Sequence, residues 1–292
     1  MSGFPSIETA GAPEVARAES VGRRLLRRPA AAVSGAIVLI IIGACVGAPL
    51  FALHSPTEID FENLFAPPSW QYPVGADELG RDIFTRVLYG GRASIAIASV
   101  ATLIAMVVGV IWGFAAAFQE SWFGDLLMRL ADVLMAVPVI LLGLVLVAAF
   151  GASTLSITVI LGLLFAPATA RLARSVLLVE LRSEYYLAAV SVGASGARIV
   201  ARELLPNTLP VLLARASLVL AEAIFVEASL SFVGLGVQPP DTSWGTLLQQ
   251  GYSNLYSSYW YPLFPGLVIF VTVLTLNILG DNLQKVLDAQ RS

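Results

Sequence analysis

The chain has 292 residues, of which 57% are hydrophobic and only 13% charged, and its formal net charge is −3. A soluble domain carries about 25% charged residues, so polar groups cannot cover this surface and lipid must be part of its solvent. The acidic balance excludes a nucleic-acid surface, and a single cysteine (Cys45) and a single histidine (His54) exclude a disulfide and a His-pair metal site and work against a Ser/His/Asp triad.

Residues 1–29 read as a small, polar tail of the disordered type, with a cluster of Arg23, Arg24, Arg27 and Arg28 near its end. The first apolar block, Ala31–Leu53, exceeds the roughly 7–15 residues of a signal-peptide core and approaches the ~20 needed to span a bilayer. It therefore predicts an uncleaved first span, with His54 at the lipid–water boundary. Five more blocks follow: Ser94–Phe118, Leu126–Phe150, Thr154–Ala173, Leu209–Val233 and Tyr261–Leu279. Helices of this length satisfy their own backbone groups in lipid. The blocks lack strand alternation and are about twice as long as a barrel strand. The expectation is an all-α integral membrane protein with six transmembrane helices in one domain, residues 30–292. Between the first two spans, Gly80-Arg81-Asp82 predicts a capped turn opening a helix. Arg81, Arg86 and Arg92 then either anchor that helix at the outer membrane face or belong to a solvated charged loop.

Orientation follows from basic residues flanking the spans. They cluster before the first span, between the fourth and fifth (Arg171, Arg174, Arg182, Arg198, Arg202) and after the sixth (Lys285, Arg291), and are missing from 234–260. Both termini and the loop at about 176–208 are thus expected in the cytoplasm. That loop predicts a helix from Glu184, a stop at Gly193 in the left-handed conformation, and a second short helix capped by Ser195. Pro206 should halt the second helix, and Asn207 should cap the fifth span. Ala188 and Ala189 are small enough for another surface to approach, and Tyr185, Tyr186, Leu187 and Val192 supply apolar knobs. Two readings stand: a lever tied to moving spans, or an interfacial helix resting on headgroups.

The pattern Glu184-Tyr185, Ala188-Ala189, Gly193-Ala194-Ser195, Arg198-Ile199 and Leu205-Pro206 resembles the EAA loop of ABC importer permeases in its peptide/nickel branch. Arg202 matches a basic position of that branch, and Glu203 stands where a histidine is usual. Pro73-Val74-Gly75, Leu79-Gly80-Arg81-Asp82, Glu227 to Pro240, Ser243-Trp244-Gly245 and Asn277-Ile278-Leu279-Gly280-Asp281 resemble further segments of the same branch. The chain is similar to a C-type inner-membrane permease of a di- or oligopeptide importer. The resemblance implies a type I permease domain forming half of the pore, with Glu184, Tyr185, Ala188, Ala189, Gly193, Ala194, Ser195, Arg198, Ile199, Leu205 and Pro206 in the ATPase-coupling loop. It implies a homologous second permease, two ATPase subunits that bind ATP and Mg, an extracytoplasmic substrate-binding protein and a peptide substrate. No cofactor or metal is expected on this chain, and no enzymatic activity. Nickel-chelate or glutathione import by the same mechanism is an alternative.

Asp132, Arg215, Glu222 and Glu227 lie within predicted spans, where ionisable groups are costly and face a partner helix or a water-filled path. Arg215 and Glu222 share a helix face, as a structural pair or as substrate contacts. Gly234, Gly236, Pro239 and Pro240 should stop the fifth span at the outer mouth. Trp244, Tyr252, Tyr256, Tyr259, Trp260 and Tyr261 read as an interfacial aromatic belt or as a docking surface for a binding protein. Two other classes remain open. An ion-coupled carrier is disfavoured because no inverted repeat is visible. A membrane enzyme is disfavoured because neither a phosphate-binding Gly-rich loop nor an activated nucleophile is present.

Overall fold

The computed structural model describes residue 25 and residues 27–118, 122–239 and 241–291. Most of the polar tail and Pro240 therefore lie outside the described residues. The elements in chain order are α1 (Pro29–Val46), α2 (Ala48–Phe51), α3 (Ile83–Phe118), α4 (Trp122–Ala136), α5 (Val139–Phe150), α6 (Thr154–Glu180), α7 (Glu184–Ser191), α8 (Gly196–Ile199), a π-helical turn (Val200–Leu204), α9 (Leu205–Phe232), α10 (Trp244–Ser253) and α11 (Trp260–Arg291). Among the described residues the structure is all-helical. Five helices are long and apolar enough to cross a membrane, and six spans result if α4 and α5 form one.

The centre of the bundle is α3 against α6, with α9 packed on both and α11 against α9. Small residues set this geometry, because in lipid close van der Waals packing replaces the hydrophobic effect between helices. A Cβ at Gly109 of α3 would stand 2.8 Å from the Ala166 carbonyl oxygen, and one at Gly162 of α6 would stand 2.6 Å from the Ile104 side chain. The backbones touch there, and only glycine lets them. Ala98, Ala101, Ala105, Ala166 and Ala170 continue the seam, each at most 1% exposed.

Three expected spans are corrected. The second helix starts at Ile83, not Ser94, because Asp82 caps it. Its Oδ2 accepts from the Thr85 N–H at 3.0 Å and from the Thr85 hydroxyl at 2.7 Å. The third block is not one straight helix: α4 and α5 meet at 90°. Val137-Pro138 is the cause, since proline removes a backbone donor and pushes its predecessor out of the helical region. The fifth span is not separated from the loop before it. Helix runs from Gly196 through the π turn into α9, so Pro206 does not halt it. Pro206 falls in the first turn of α9, where its missing N–H costs little. Asn207 does not cap the span; its side chain donates back to the Glu203 carbonyl at 2.7 Å.

The end of the bundle opposite α7 is a cap made from residues 52–82 and α10. His54 packs within this cap: its ring stacks on Tyr72 at 5.1 Å, and its Nδ1 lies 3.8 Å from Asp82. Neither reading of the arginines as a group holds. Arg86 is 4% exposed and donates to Asp77, to the Tyr261 hydroxyl (3.1 Å) and to Gln250 (3.1 Å). Arg81 also reaches Asp77, at 2.7 Å. Arg92 is exposed, over the Tyr89 ring.

Candidate functional site

At the other end, α7 stands out from the bundle. It has no buried residue. Its C-terminus is closed by a Schellman motif: Gly193, at φ +74°, donates to Val190 O at 3.0 Å, and Ala194 donates to Ala189 O at 3.1 Å. The turn then enters α8. Ser195 occupies the N-cap position with extended backbone, but its side chain makes no capping bond, contrary to expectation. The two alanines split. Ala188 is exposed beside Leu187, Val190 and Val192, whereas Ala189 packs inward with Tyr186 and Ala194 against Leu177, Ile199 and Leu204. Glu184, Arg198, Leu205 and Pro206 are exposed. The Tyr185 hydroxyl donates to Glu180 at 2.6 Å, tying α7 to the end of α6. Partial burial and that bond hold its phenol above the ordinary tyrosine pKa. One side of the loop is thus joined to α6 through Leu181–Ser183, and the other to α9 without a helix break.

The intramembrane polar residues separate into three situations. Asp132 on α4 pairs with Arg171 on α6, both about half exposed, and beside them Asp125 pairs with Arg174 at 3.2 Å. Arg171 therefore serves as a partner as well as an orientation signal. Glu227 is fully buried and accepts from Ser94 on α3 at 3.0 Å and from Ser231 at 2.7 Å. It links α3 to α9. Arg215 and Glu222 pair with each other through two contacts of 3.3 Å. They face a cavity of about 430 Å³ that the α4–α5 break also lines.

At the cap, Gly234 (φ +88°) ends α9 as expected, with Leu235 donating to Leu230 O and Gly234 to Ser231 O, both at 3.0 Å. Gly236 is buried against Ser231, and Pro239 is exposed. The aromatic cluster is not one belt. Trp244 and Tyr261 are fully buried, and the Trp244 indole donates to Val87 O at 2.9 Å. Tyr252, Tyr256, Tyr259 and Trp260 are exposed. The Asp77–Arg86–Tyr261–Gln250 network went unread in the sequence, because its bonded partners Arg86 and Tyr261 lie 175 positions apart.

The described residues thus form a helical membrane bundle with a broken span, a cavity beside the break into which Arg215 and Glu222 face, and a protruding helical loop. The sequence pattern of binding-protein-dependent transport system inner membrane components matches residues 105–292, and that of the N-terminal transmembrane domain of oligopeptide transport permease C matches residues 18–68. The chain belongs to the family of binding-protein-dependent transport system inner membrane components, multi-pass proteins of the inner membrane. It is 38% identical over 278 residues to a putative peptide transport system permease protein of Brucella suis, covering 94% of each chain. It is 37% identical over 267 residues to a glutathione transport system permease protein of Pectobacterium atrosepticum, covering 91% of this chain and 89% of that one. In fold it is similar to an inward-facing structure of the MetNI methionine ABC transporter, with a TM-score of 0.57 at 19% identity over 70% of this chain and 96% of the other.

Proposed function

We propose that this permease imports short peptides, with the α7–Gly193–α8 segment as the lever on which ATPase subunits push. The observation that carries the lever is an eight-residue helix with no buried residue, presenting Leu187, Val190 and Val192 at 56%, 49% and 82% exposure. A clustered apolar surface of this kind marks an interaction site. Its stiff connection to α9 supports the mechanical reading. A push on α7 moves α8, the π turn and α9 as one rod, while the turn at Leu181–Ser183 passes the same push to α6. Those two helices wall the cavity at the α4–α5 break, so movement at the lever opens or closes the path.

A permease of this family works with a second permease, ATPases and a binding protein. In the proposed arrangement there is one homologous permease, two ATPases holding ATP and Mg, and an extracytoplasmic peptide-binding protein seated on the cap. The chain itself hydrolyses nothing. Basic residues at 171–202 and at both ends support a cytoplasmic position for the lever and the termini. Similarity to permeases named for peptide and for glutathione supports short peptides as cargo, glutathione being itself a tripeptide.

The test is uptake of a labelled dipeptide into proteoliposomes holding the complete transporter and its binding protein. ATP-dependent uptake supports the reading. Uptake without ATP, driven by an ion gradient, would replace it with a secondary carrier.

A further inference from the structure

Arg215 and Glu222 sit two helical turns apart on α9, each about 15 Å along the axis from the nearer end of that helix at ~1.5 Å per residue. They are therefore at the middle of the span, where a charge is most costly. Yet they are not sealed from the surroundings: the Arg215 side chain is 16% exposed and the Glu222 side chain 43%. Among the described residues they are the only charged ones lining their cavity, whose remaining wall includes Leu134, Pro138, Leu164 and Phe225. The non-helical Val137-Pro138 backbone opens on the same cavity. Irregular backbone at membrane depth is tolerated where it is buried in protein or lines water. The exposed carboxylate and the broken helix point independently to an aqueous path here.

We propose that Arg215 and Glu222 form a clasp for the two charged ends of a short peptide crossing the membrane, a proposal that rests on the peptide-import reading. The Arg215 guanidinium takes the peptide α-carboxylate through two parallel N–H···O bonds, the geometry its fork favours. The Glu222 carboxylate takes the α-ammonium group. In the empty path the two residues hold each other, both guanidinium Nη atoms lying 3.3 Å from a carboxylate oxygen. That spares the cavity two unpaired charges. A zwitterionic peptide exchanges one ion pair for two of the same kind, so the site neither traps its cargo nor leaves a charge uncompensated.

Length fits as well. The two Cα atoms are about 10 Å apart along the helix. The termini of an extended peptide of two or three residues are separated by roughly 7–10 Å. A peptide of that size reaches both partners once the side chains swing apart, and one without a free amino or carboxyl end leaves one partner unmet.

The test places a reporter on the cavity wall outside the clasp. Ala168→Cys on α6 lines the cavity, and Cys45→Ala removes the buried native thiol. Modification of Ala168→Cys by a water-soluble thiosulfonate is followed in inside-out vesicles carrying the assembled transporter. The dipeptide Ala-Ala is expected to slow modification roughly tenfold, the effect of a charge-assisted pair, while N-acetyl-Ala-Ala and Ala-Ala-amide slow it little. Glu222→Gln should erase the difference between Ala-Ala and its N-acetyl form, and Arg215→Gln the difference between Ala-Ala and its amide. The unsubstituted clasp already decides the matter if either variant fails to assemble. Equal protection by free and blocked peptides overturns the clasp, as does an Ala168→Cys that the reagent never reaches. Uptake of labelled Ala-Ala by the same transporter separates the two claims. Uptake with equal protection sinks only the clasp, and no uptake sinks the peptide reading beneath it.

Discussion

The two ends of this bundle are built on opposite principles. At the cap, Trp244, Tyr261, Asp77 and Ser243 are fully buried, and their polar atoms find partners within the chain. Such a network is costly if half made and rigid if complete. At the lever, α7 has no fully buried residue and turns Leu187 and Val190 outward. The interior of the cap is closed by its own residues, whereas in the proposed arrangement the lever is completed by another chain. The difference suits a machine in which force enters at one end and must not dissipate at the other.

The strongest way to break this contrast is at the cap. Arg86→Ala should leave Asp77 and the Tyr261 hydroxyl short of a buried donor. Removing one partner of a buried pair costs about 3–5 kcal/mol. Thermal unfolding of the detergent-purified complex should fall accordingly, and an unchanged midpoint would mean that the network adds no rigidity.

The lever should respond in function before stability. A Cβ at Gly193 meets nothing within 4 Å, so the penalty of substitution is purely conformational. Gly193→Ala should cost about 1–2 kcal/mol for an L residue in the left-handed region. Gly193→Pro cannot adopt φ +74° and also loses the N–H that bonds Val190 O. The proline variant should insert into the membrane normally and lose uptake, with the alanine variant between it and the parent. Normal uptake by the proline variant would remove α7 from the mechanism.

A finer test uses the two neighbouring alanines. Ala188→Asp adds charge to an exposed face and should leave stability within about 0.5 kcal/mol, while ATPase subunits no longer copurify. Ala189→Asp pushes a charge toward Ile199 and Leu204 and should lower both stability and association. If Ala188→Asp leaves the complex intact, the docking face lies elsewhere on the loop.

The sequence was informative where a local signal suffices. Apolar runs announce spans by their length, and Gly193 and Gly234 announce helix ends because their backbone needs φ > 0. It was silent where a distant partner changes the meaning of a residue. Arg86 looks like a surface anchor until Asp77 and Tyr261 close around it. Trp244 looks like belt aromatic until α3 offers the Val87 carbonyl. Residues 83–93 fell outside the predicted span because they carry Arg86 and Arg92, and Arg86 finds its partners only in the folded cap. Pro206 misled for a different reason: it would stop a helix from within, but α9 begins beside it and a π turn carries the chain through. Val137-Pro138 is the one break whose signal was in plain sight, hidden by the apolar residues around it.

The smallest expected effect concerns the rim of the cap, outside the membrane. Tyr72 is 4% exposed, and its hydroxyl donates to Asp60 at 2.8 Å. Burial, reinforced by that bond, pushes its phenol up from 10.0 to about 12. Hydrogen bonds from Asn63 and Tyr72 hold the Asp60 carboxyl below its usual value. A raised folded-state pKa means that the neutral phenol is what the fold stabilises. The contribution is complete below pH 10 and is lost as pH rises through about 12. The Tyr72 phenol, read as the tyrosinate absorbance that Tyr72→Phe removes, should titrate late. The same substitution should flatten the decline of stability between those two values. A tyrosine that titrates near its ordinary value would show that the rim opens to solvent, and the cap would then be closed only around Arg86 and Trp244.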